Sequence, residues 1–95
     1  MNDGLLRLSA QKALLYYLFP KVRMISMDVV DSFLHILFIV SDELTEDEKD
    51  MIYTVGGQIE GDFLEITDRR VDYVVSKDNI DEQPQLRLLV LAQFE

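Results

Sequence analysis

The chain has 95 residues, with nine Lys and Arg against eighteen Asp and Glu and a formal charge of -9 at pH 7. This length allows one hydrophobic core, so we expect a single domain over residues 1–95. The acidic surplus excludes nucleic acid and anionic membranes as expected partners and favours a basic protein. The absence of cysteine excludes disulfides and thiolate metal sites.

No signal for membrane insertion or secretion is found in the sequence. The longest uncharged run is shorter than the roughly 20 apolar residues that a spanning helix needs. Asp3 precedes the first hydrophobic run, and no small-residue cleavage signal follows. We therefore expect a cytoplasmic protein of bacterial type.

The first predicted helix covers Leu5–Leu18, with Asn2 or Asp3 as its capping residue. Such a helix is apolar on two sides, so it packs either between the sheet and another element or against a partner. One side contains Leu6, Ala10, Ala13, Leu14 and Tyr17, and the second contains Leu8, Leu15 and Phe19.

Four strands are predicted from alternating or continuous apolar runs. Lys21–Val30 and Phe33–Val40 form an antiparallel hairpin, and the second of these strands is apolar on both sides, which is typical of a central strand. Asp68–Ser76 is a half-buried strand. A polar turn at Lys77–Gln85 leads into the last strand, Leu86–Phe94.

A second helix is predicted to start after Thr45 and to continue to about Phe63. The spacing of Thr45 and Glu48 predicts a capping box, in which each side chain accepts the other residue's backbone N–H. The Gly56-Gly57 pair costs about 1 kcal/mol per glycine, but the helical pattern continues through it. The predicted buried side contains Met51, Ile52, Val55, Ile59 and Phe63.

The order α-β-β-α-β-β predicts an α+β two-layer sandwich, with a four-stranded antiparallel sheet and two helices on one face. The helices then leave the other face of the sheet uncovered. An exposed apolar patch of this kind is typical of an interface, either between two copies of the chain or with another protein. We expect the patch to be formed by some of Met27, Leu37, Ile39, Leu89 and Leu91.

The solvent side of the second helix is the candidate partner-binding site. A run of charge is most often only a solvated helix surface, but an aromatic ring among carboxylates is typical of an interface anchor surrounded by steering charge. We name this site the acidic ridge. It consists of Glu46, Asp50, Tyr53 and Glu60, with Glu43 and Asp47 beside them.

No motif in the sequence identifies a catalytic chemistry. His35 is the single histidine, and on a central strand we expect it at the open sheet face or with a hydrogen-bonded ring. No serine lies in a G-x-S-x-G context, no glycine-rich phosphate loop occurs, and the acidic run lacks the glycine of an EF-hand loop. We therefore expect no enzyme, no catalytic residues, no metal and no cofactor. A small enzyme built on His35 and a carboxylate is the alternative.

Three short segments carry a family resemblance: Ala10–Leu15 (AQKALL), Pro20-x-x-Arg23, and the acidic helix start Thr45–Glu48. Together they resemble small bacterial proteins of contact-dependent growth inhibition and colicin-like toxin systems, in which such proteins are the immunity partner. The similarity extends from Leu6 to about Val75. It implies an antitoxin-like protein that binds and neutralises a basic toxin domain, in particular a nuclease.

Two binding functions remain open at this point. The first is the immunity protein, which would meet its toxin through the acidic ridge. The second is an acidic secretion chaperone or homodimeric adaptor that holds a protein segment through the open sheet face. Binding through charge weakens steeply with salt, whereas binding through an apolar sheet does not.

Overall fold

The computed structural model describes residues 2–92. The predicted order of elements is confirmed, and β2 has the predicted bounds. Phe94, the predicted end of the last strand, lies outside the described residues. In chain order the elements are α1 (Asp3–Tyr17), β1 (Val22–Val30), β2 (Phe33–Val40), α2 (Glu46–Asp62), β3 (Asp68–Val75), a 3₁₀ turn (Ile80–Glu82) and β4 (Leu88–Ala92).

The four strands form one mixed sheet in the order β3-β2-β1-β4. Strand β1 pairs antiparallel with β2 and with β4, whereas β2 and β3 are parallel. The predicted all-antiparallel sheet is therefore wrong for the β2–β3 pair. The reason is that α2 packs back along the sheet and returns the chain to the end where β2 began, so the next strand runs in the same direction.

Both helices contribute to one hydrophobic cluster with alternate residues of the strands. Burial of these side chains confirms the predicted apolar sides of α1 and α2, and it is the main favourable term for such a fold. The most buried members are Leu6 and Ala10 of α1, Ile52, Val55 and Ile59 of α2, and Leu34, Ile36, Phe38 and Val40 of β2.

The connection between β3 and β4 covers part of the other side of the sheet. Ile80, in the 3₁₀ turn, packs with Met24, Leu37 and Ile39 to form a second hydrophobic cluster. Ile39 is fully buried, and Leu37 and Ile80 are each only 8% exposed. The polar turn predicted for this segment therefore contains a buried residue that covers Leu37 and Ile39 on the side of the sheet opposite the helices.

Polar contacts hold this connection in place. Arg23, which is buried, donates from Nη1 to the carbonyl oxygens of Ser76 and Asp78, both at 2.8 Å. The backbone N–H of Leu86 donates to Oγ of Ser26 at 2.9 Å. Buried polar groups are thus satisfied while the apolar residues of the connection pack against the sheet.

The predicted apolar patch on the open sheet face is wrong. Met27 pairs with Ile36 and lies with it in the cluster that contains the helix residues. The register shift between Ile25 and Ser26 adds one residue to β4, so Leu91 packs against that same cluster while Leu89 lies on the other side of the sheet. Leu37 and Ile39 are buried beneath the β3–β4 connection, and Leu89 packs beside them. The structure therefore gives no support to a homodimer or a chaperone site that uses this patch.

Gly56 sets the distance between α2 and β3. A Cβ atom at this position would lie 2.5 Å from Cγ2 of Val71, closer than side chains approach one another. The helix itself is continuous through the glycine pair, as predicted. The absence of a side chain at Gly56 therefore lets α2 lie directly against the edge strand β3.

Substitution of Gly56 tests this close packing. We expect Gly56→Ala to destabilise the fold by about 1–3 kcal/mol, because the added methyl must displace Val71 or lift the helix. Gly61→Ala is the matched control in the same helix. Its Cβ would meet no atom within 4 Å, so it should stabilise the helix by about 0.5–1 kcal/mol. Thermal unfolding followed by circular dichroism measures both, and a Gly56→Ala variant as stable as Gly61→Ala would contradict the packing.

Candidate functional site

The start of α2 is fixed by the predicted capping box. Oγ1 of Thr45 accepts the backbone N–H of Glu48 at 3.2 Å, and Oε1 of Glu48 accepts the N–H of Thr45 at 2.8 Å. Nζ of Lys21 donates to the same Oε1 at 2.7 Å and to the carbonyl oxygen of Glu43 at 2.8 Å. The hydrogen bond from Lys21, followed by that from the Thr45 N–H, lowers the pKa of Glu48. The loop before α2 is thereby held to the helix.

Most carboxylates of the acidic ridge have no counter-charge among residues 2–92. Glu43, Asp47 and Asp50 are exposed, and within residues 2–92 none of the three forms an ion pair. Glu46 lies 3.4 Å from Nζ of Lys49 but is 89% exposed, and such a surface pair contributes little. The negative charge of this helix start is therefore open to solvent.

Glu60 differs from the other predicted ridge residues. Nη1 of Arg69, on β3, donates to Oε2 of Glu60 at 2.7 Å, and the Glu60 side chain is 24% exposed. Its charge is thus largely compensated within the fold. Glu60 serves to hold the Arg69 guanidinium in place beside the helix.

Tyr53 lies beside an open depression on the solvent side of α2. Its side chain is 45% exposed. The structure brings Asp50 and Tyr53 together here, as the sequence predicted, and adds Arg69 from the neighbouring strand. This Tyr53 depression has a volume of about 450 Å³ and is lined by Asp50, Tyr53, Thr54, Gly57, Gln58 and Arg69.

The β3–β4 connection adds acidic residues that the sequence analysis did not assign to the site. Because β2 and β3 are parallel, both end at the same edge of the sheet, where the N–H of Ser76 donates to the carbonyl oxygen of Val40 at 2.8 Å. The segment after β3 therefore leaves from the same end as the loop before α2. Its exposed carboxylates are Asp78, Asp81 and Glu82.

Acidic residues at the opposite end of the sheet form a competing surface. Asp31, Glu65 and Asp68 are exposed, and within the described part of the chain they too lack ion pairs. They lie in the turn after β1 and around the start of β3. Leu64, beside Glu65, is 97% exposed. This end is accordingly the appropriate place for control substitutions.

His35 lies on the sheet side opposite the helices, with a hydrogen-bonded ring, as predicted. Its Nε2 is 2.8 Å from Oδ2 of Asp72, and Nε of Arg70 is 2.8 Å from the same oxygen. The carboxylate is therefore shared between the imidazole and a guanidinium. No group of three or more His, Cys, Asp or Glu residues that could hold a metal ion occurs among residues 2–92.

The outer side of α1 exposes apolar side chains. Leu8 and Leu15, two residues of the predicted second stripe, are 52% and 78% exposed, whereas Phe19 packs partly against the core. A groove of about 490 Å³ separates this side of α1 from β4 and includes Leu15, Leu18 and Val90.

Neither α1 nor α2, the two α-helices within residues 2–92, has the length and apolar character of a membrane-spanning helix.

These features describe a small acidic α+β protein that offers a partner an exposed charged surface. The chain belongs to the MafI2 immunity protein family, whose family model matches residues 3–95. It is therefore an immunity protein against a toxin, and the expected immunity function is confirmed at this level. Maf is a different toxin system from contact-dependent growth inhibition and colicins, so those narrower assignments are not confirmed. A search of curated proteins finds no match.

The lowered pKa of Glu48 predicts a pH dependence of stability. A carboxyl whose pKa is lower in the folded state stabilises the fold above its unfolded pKa, and this contribution is lost as pH falls through the folded pKa. We expect wild type to exceed Glu48→Gln in stability above about pH 5 and the difference to shrink below about pH 4.

Urea unfolding at a series of pH values measures this difference. Glutamine keeps an oxygen for the Thr45 N–H, so the comparison isolates the charge. Glu65→Gln, at an exposed position without an ion pair, is the control and should follow the wild type. A difference between wild type and Glu48→Gln that stays constant down to about pH 3 would contradict the assignment.

Proposed function

We propose that this immunity protein neutralises a basic toxin domain, in particular a nuclease, by covering it with the acidic ridge. The observation that carries the proposal is a set of exposed carboxylates at the start of α2, next to an exposed tyrosine, that have no counter-charge within the described part of the chain. A nuclease must attract a polyanion, so its surface is expected to be basic. An acidic protein can occupy that surface.

Electrostatic steering accounts for the carboxylates of the ridge. Opposite surface potentials accelerate association and suppress wrong partners. Glu43 lies in the loop before α2, and Glu46, Asp47 and Asp50 lie in the first two turns of the helix, so their electrostatic fields add. The acidic residues of the β3–β4 connection lie at the same end of the sheet, on the side opposite the helices, and add to the negative field at that end. These residues would meet lysine and arginine side chains of the toxin.

Rigidity of the helix favours tight binding. The capping box and Lys21 fix the first turn, while the contacts of Gly56 with Val71 and of Glu60 with Arg69 hold the middle of α2 against β3. A surface that is already ordered loses less conformational entropy on binding. Tyr53 then supplies the apolar contact, since tyrosine is enriched among the residues that dominate binding energy.

The combined substitution Tyr53→Ala and Asp50→Lys tests the proposal. We expect the affinity for the toxin to fall about 100-fold or more, because one change removes the anchor and the other places like charge against the basic surface. The probe is a catalytically inactive form of the toxin domain encoded beside this chain, and calorimetry measures the dissociation constant.

Leu64→Ala with Glu65→Lys is the matched control. It also truncates one exposed apolar residue and reverses one carboxylate, but it lies beyond the other end of α2. Its affinity should stay within about threefold of wild type, as for positions outside an interface. Equal affinity of the ridge variant and wild type would remove the basis of the proposal, and loss of affinity in the control alone would move the site to the opposite end.

Salt dependence separates steering from apolar docking. We expect the association rate to fall more than about tenfold between low and high salt, because exposed charges are screened beyond the Debye length. Stopped-flow measurements with the same inactive toxin domain provide the rate. An association rate that is independent of salt would contradict binding through the acidic ridge and would favour the apolar side of α1.

A further inference from the structure

We infer that the Tyr53 depression receives one lysine or arginine side chain of the toxin and lies at the centre of the interface. This inference rests on the proposed function and deepens it, because it assigns one binding position for a cationic side chain within the broader acidic surface. The observations that carry it are the shape of the depression, the charges on its rim and the exposed tyrosine ring.

The shape of the Tyr53 depression arises from the absence of a side chain at Gly57. Tyr53 and Thr54 lie three and four residues after Asp50, and Gly57 lies four and three residues after them, so all four line one side of the helix. Gly57 leaves this side without a side chain. The nearest atoms to a Cβ built there are Nη2 and Cζ of Arg69, at 3.7 and 3.8 Å. The depression is therefore bounded by the helix and by the guanidinium of Arg69.

The charges around the Tyr53 depression favour a cation as its occupant. Arg69 has its own charge compensated by Oε2 of Glu60 at 2.7 Å, whereas Asp50 forms no ion pair among the described residues. The hydroxyl of Thr54 donates to the carbonyl oxygen of Asp50 at 2.7 Å and is thus already engaged. The uncompensated charge at the rim is that of the Asp50 carboxylate, which attracts a cation and repels an anion.

The tyrosine ring adds a second contact for the same group. A guanidinium or ammonium over an aromatic face is attracted by the ring quadrupole, and its aliphatic stem covers apolar surface. The Tyr53 side chain is 45% exposed, so its ring is accessible. A lysine or arginine side chain can therefore contact the ring with its stem or head while its charge meets Asp50.

Filling the depression tests the inference. A leucine at position 57 would lean toward the preceding turn, as helical side chains do, and so over Tyr53 and Thr54. We expect Gly57→Leu to weaken binding of the inactive toxin domain about tenfold or more, with a smaller loss for Gly57→Ala. Gly57→Ala should not lower Tm, because its Cβ makes only ordinary contacts and glycine is the poorer helix former. The Tm of Gly57→Leu is measured beside it, so that binding is compared between folded variants.

Two controls accompany this pair. Gly61→Ala adds a methyl group where no atom lies within 4 Å, and Gln11→Leu adds a leucine to α1. Both should bind within about twofold of wild type. If Gly57→Leu binds as tightly as these controls while Tyr53→Ala with Asp50→Lys loses affinity, the inference is overturned and the proposed function stands. If neither loses affinity, both are overturned.

A second pair of variants tests the nature of the occupant without altering the backbone. Tyr53→Phe keeps an aromatic face, whereas Tyr53→Leu keeps only apolar bulk. A cation on the ring predicts nearly unchanged affinity for Tyr53→Phe and a loss of about threefold to thirtyfold for Tyr53→Leu. Equal affinities of the two variants would overturn the cationic occupant, even if Gly57→Leu proved unstable.

Discussion

Strands β2 and β3 run parallel from the Phe33–Asp68 pair to the Val40–Val75 pair, and a parallel pair cannot be joined by a short turn. Helix α2 makes the connection and must lie along the sheet to do so. This single requirement determines where the charged surface is. It puts the start of α2 at the end of the sheet where both strands finish, and it sends the next connection out from that same end.

The contact between α2 and β3 then gives the solvent side of α2 its form. Gly56 allows the helix to approach Val71, and the approach places Arg69 of β3 next to the exposed side of the helix. Glu60 holds that arginine, while Asp50 and Tyr53 remain open to solvent. The two adjacent glycines therefore have separate consequences, since the first permits packing and the second leaves the Tyr53 depression unfilled.

Much of this architecture could be predicted from the sequence, because its signals are local. The capping box at Thr45, the continuous apolar run of β2 and the helical spacing of Ile52, Val55 and Ile59 each depend on neighbouring residues. The direction of β3 depends on how α2 packs, so the predicted antiparallel sheet was wrong. The cover that Ile80 gives to the sheet depends on a folded connection whose polar composition indicates only a turn.

The distinction between local and non-local sequence signals also applies to the candidate site. Sequence spacing brought Asp50 and Tyr53 together on one helix side, since both lie on α2. The ion pair of Glu60 with Arg69 depends on the parallel pairing of β2 and β3, and so does the position of the carboxylates in the β3–β4 connection. Neither could be predicted, because no local sequence pattern indicates this pairing. Asp50 and Tyr53, which line the Tyr53 depression, are thus the ridge residues whose placement needed only helical geometry.

Hydrogen–deuterium exchange of the immunity protein, alone and bound to the inactive toxin domain, locates the surface that the toxin covers, because binding protects the backbone beneath it. We expect slowed exchange to be concentrated in residues 41–58, which contain the loop before α2 and the first three quarters of the helix. Slowed exchange confined to α1 and β4, with residues 41–58 unchanged, would contradict it.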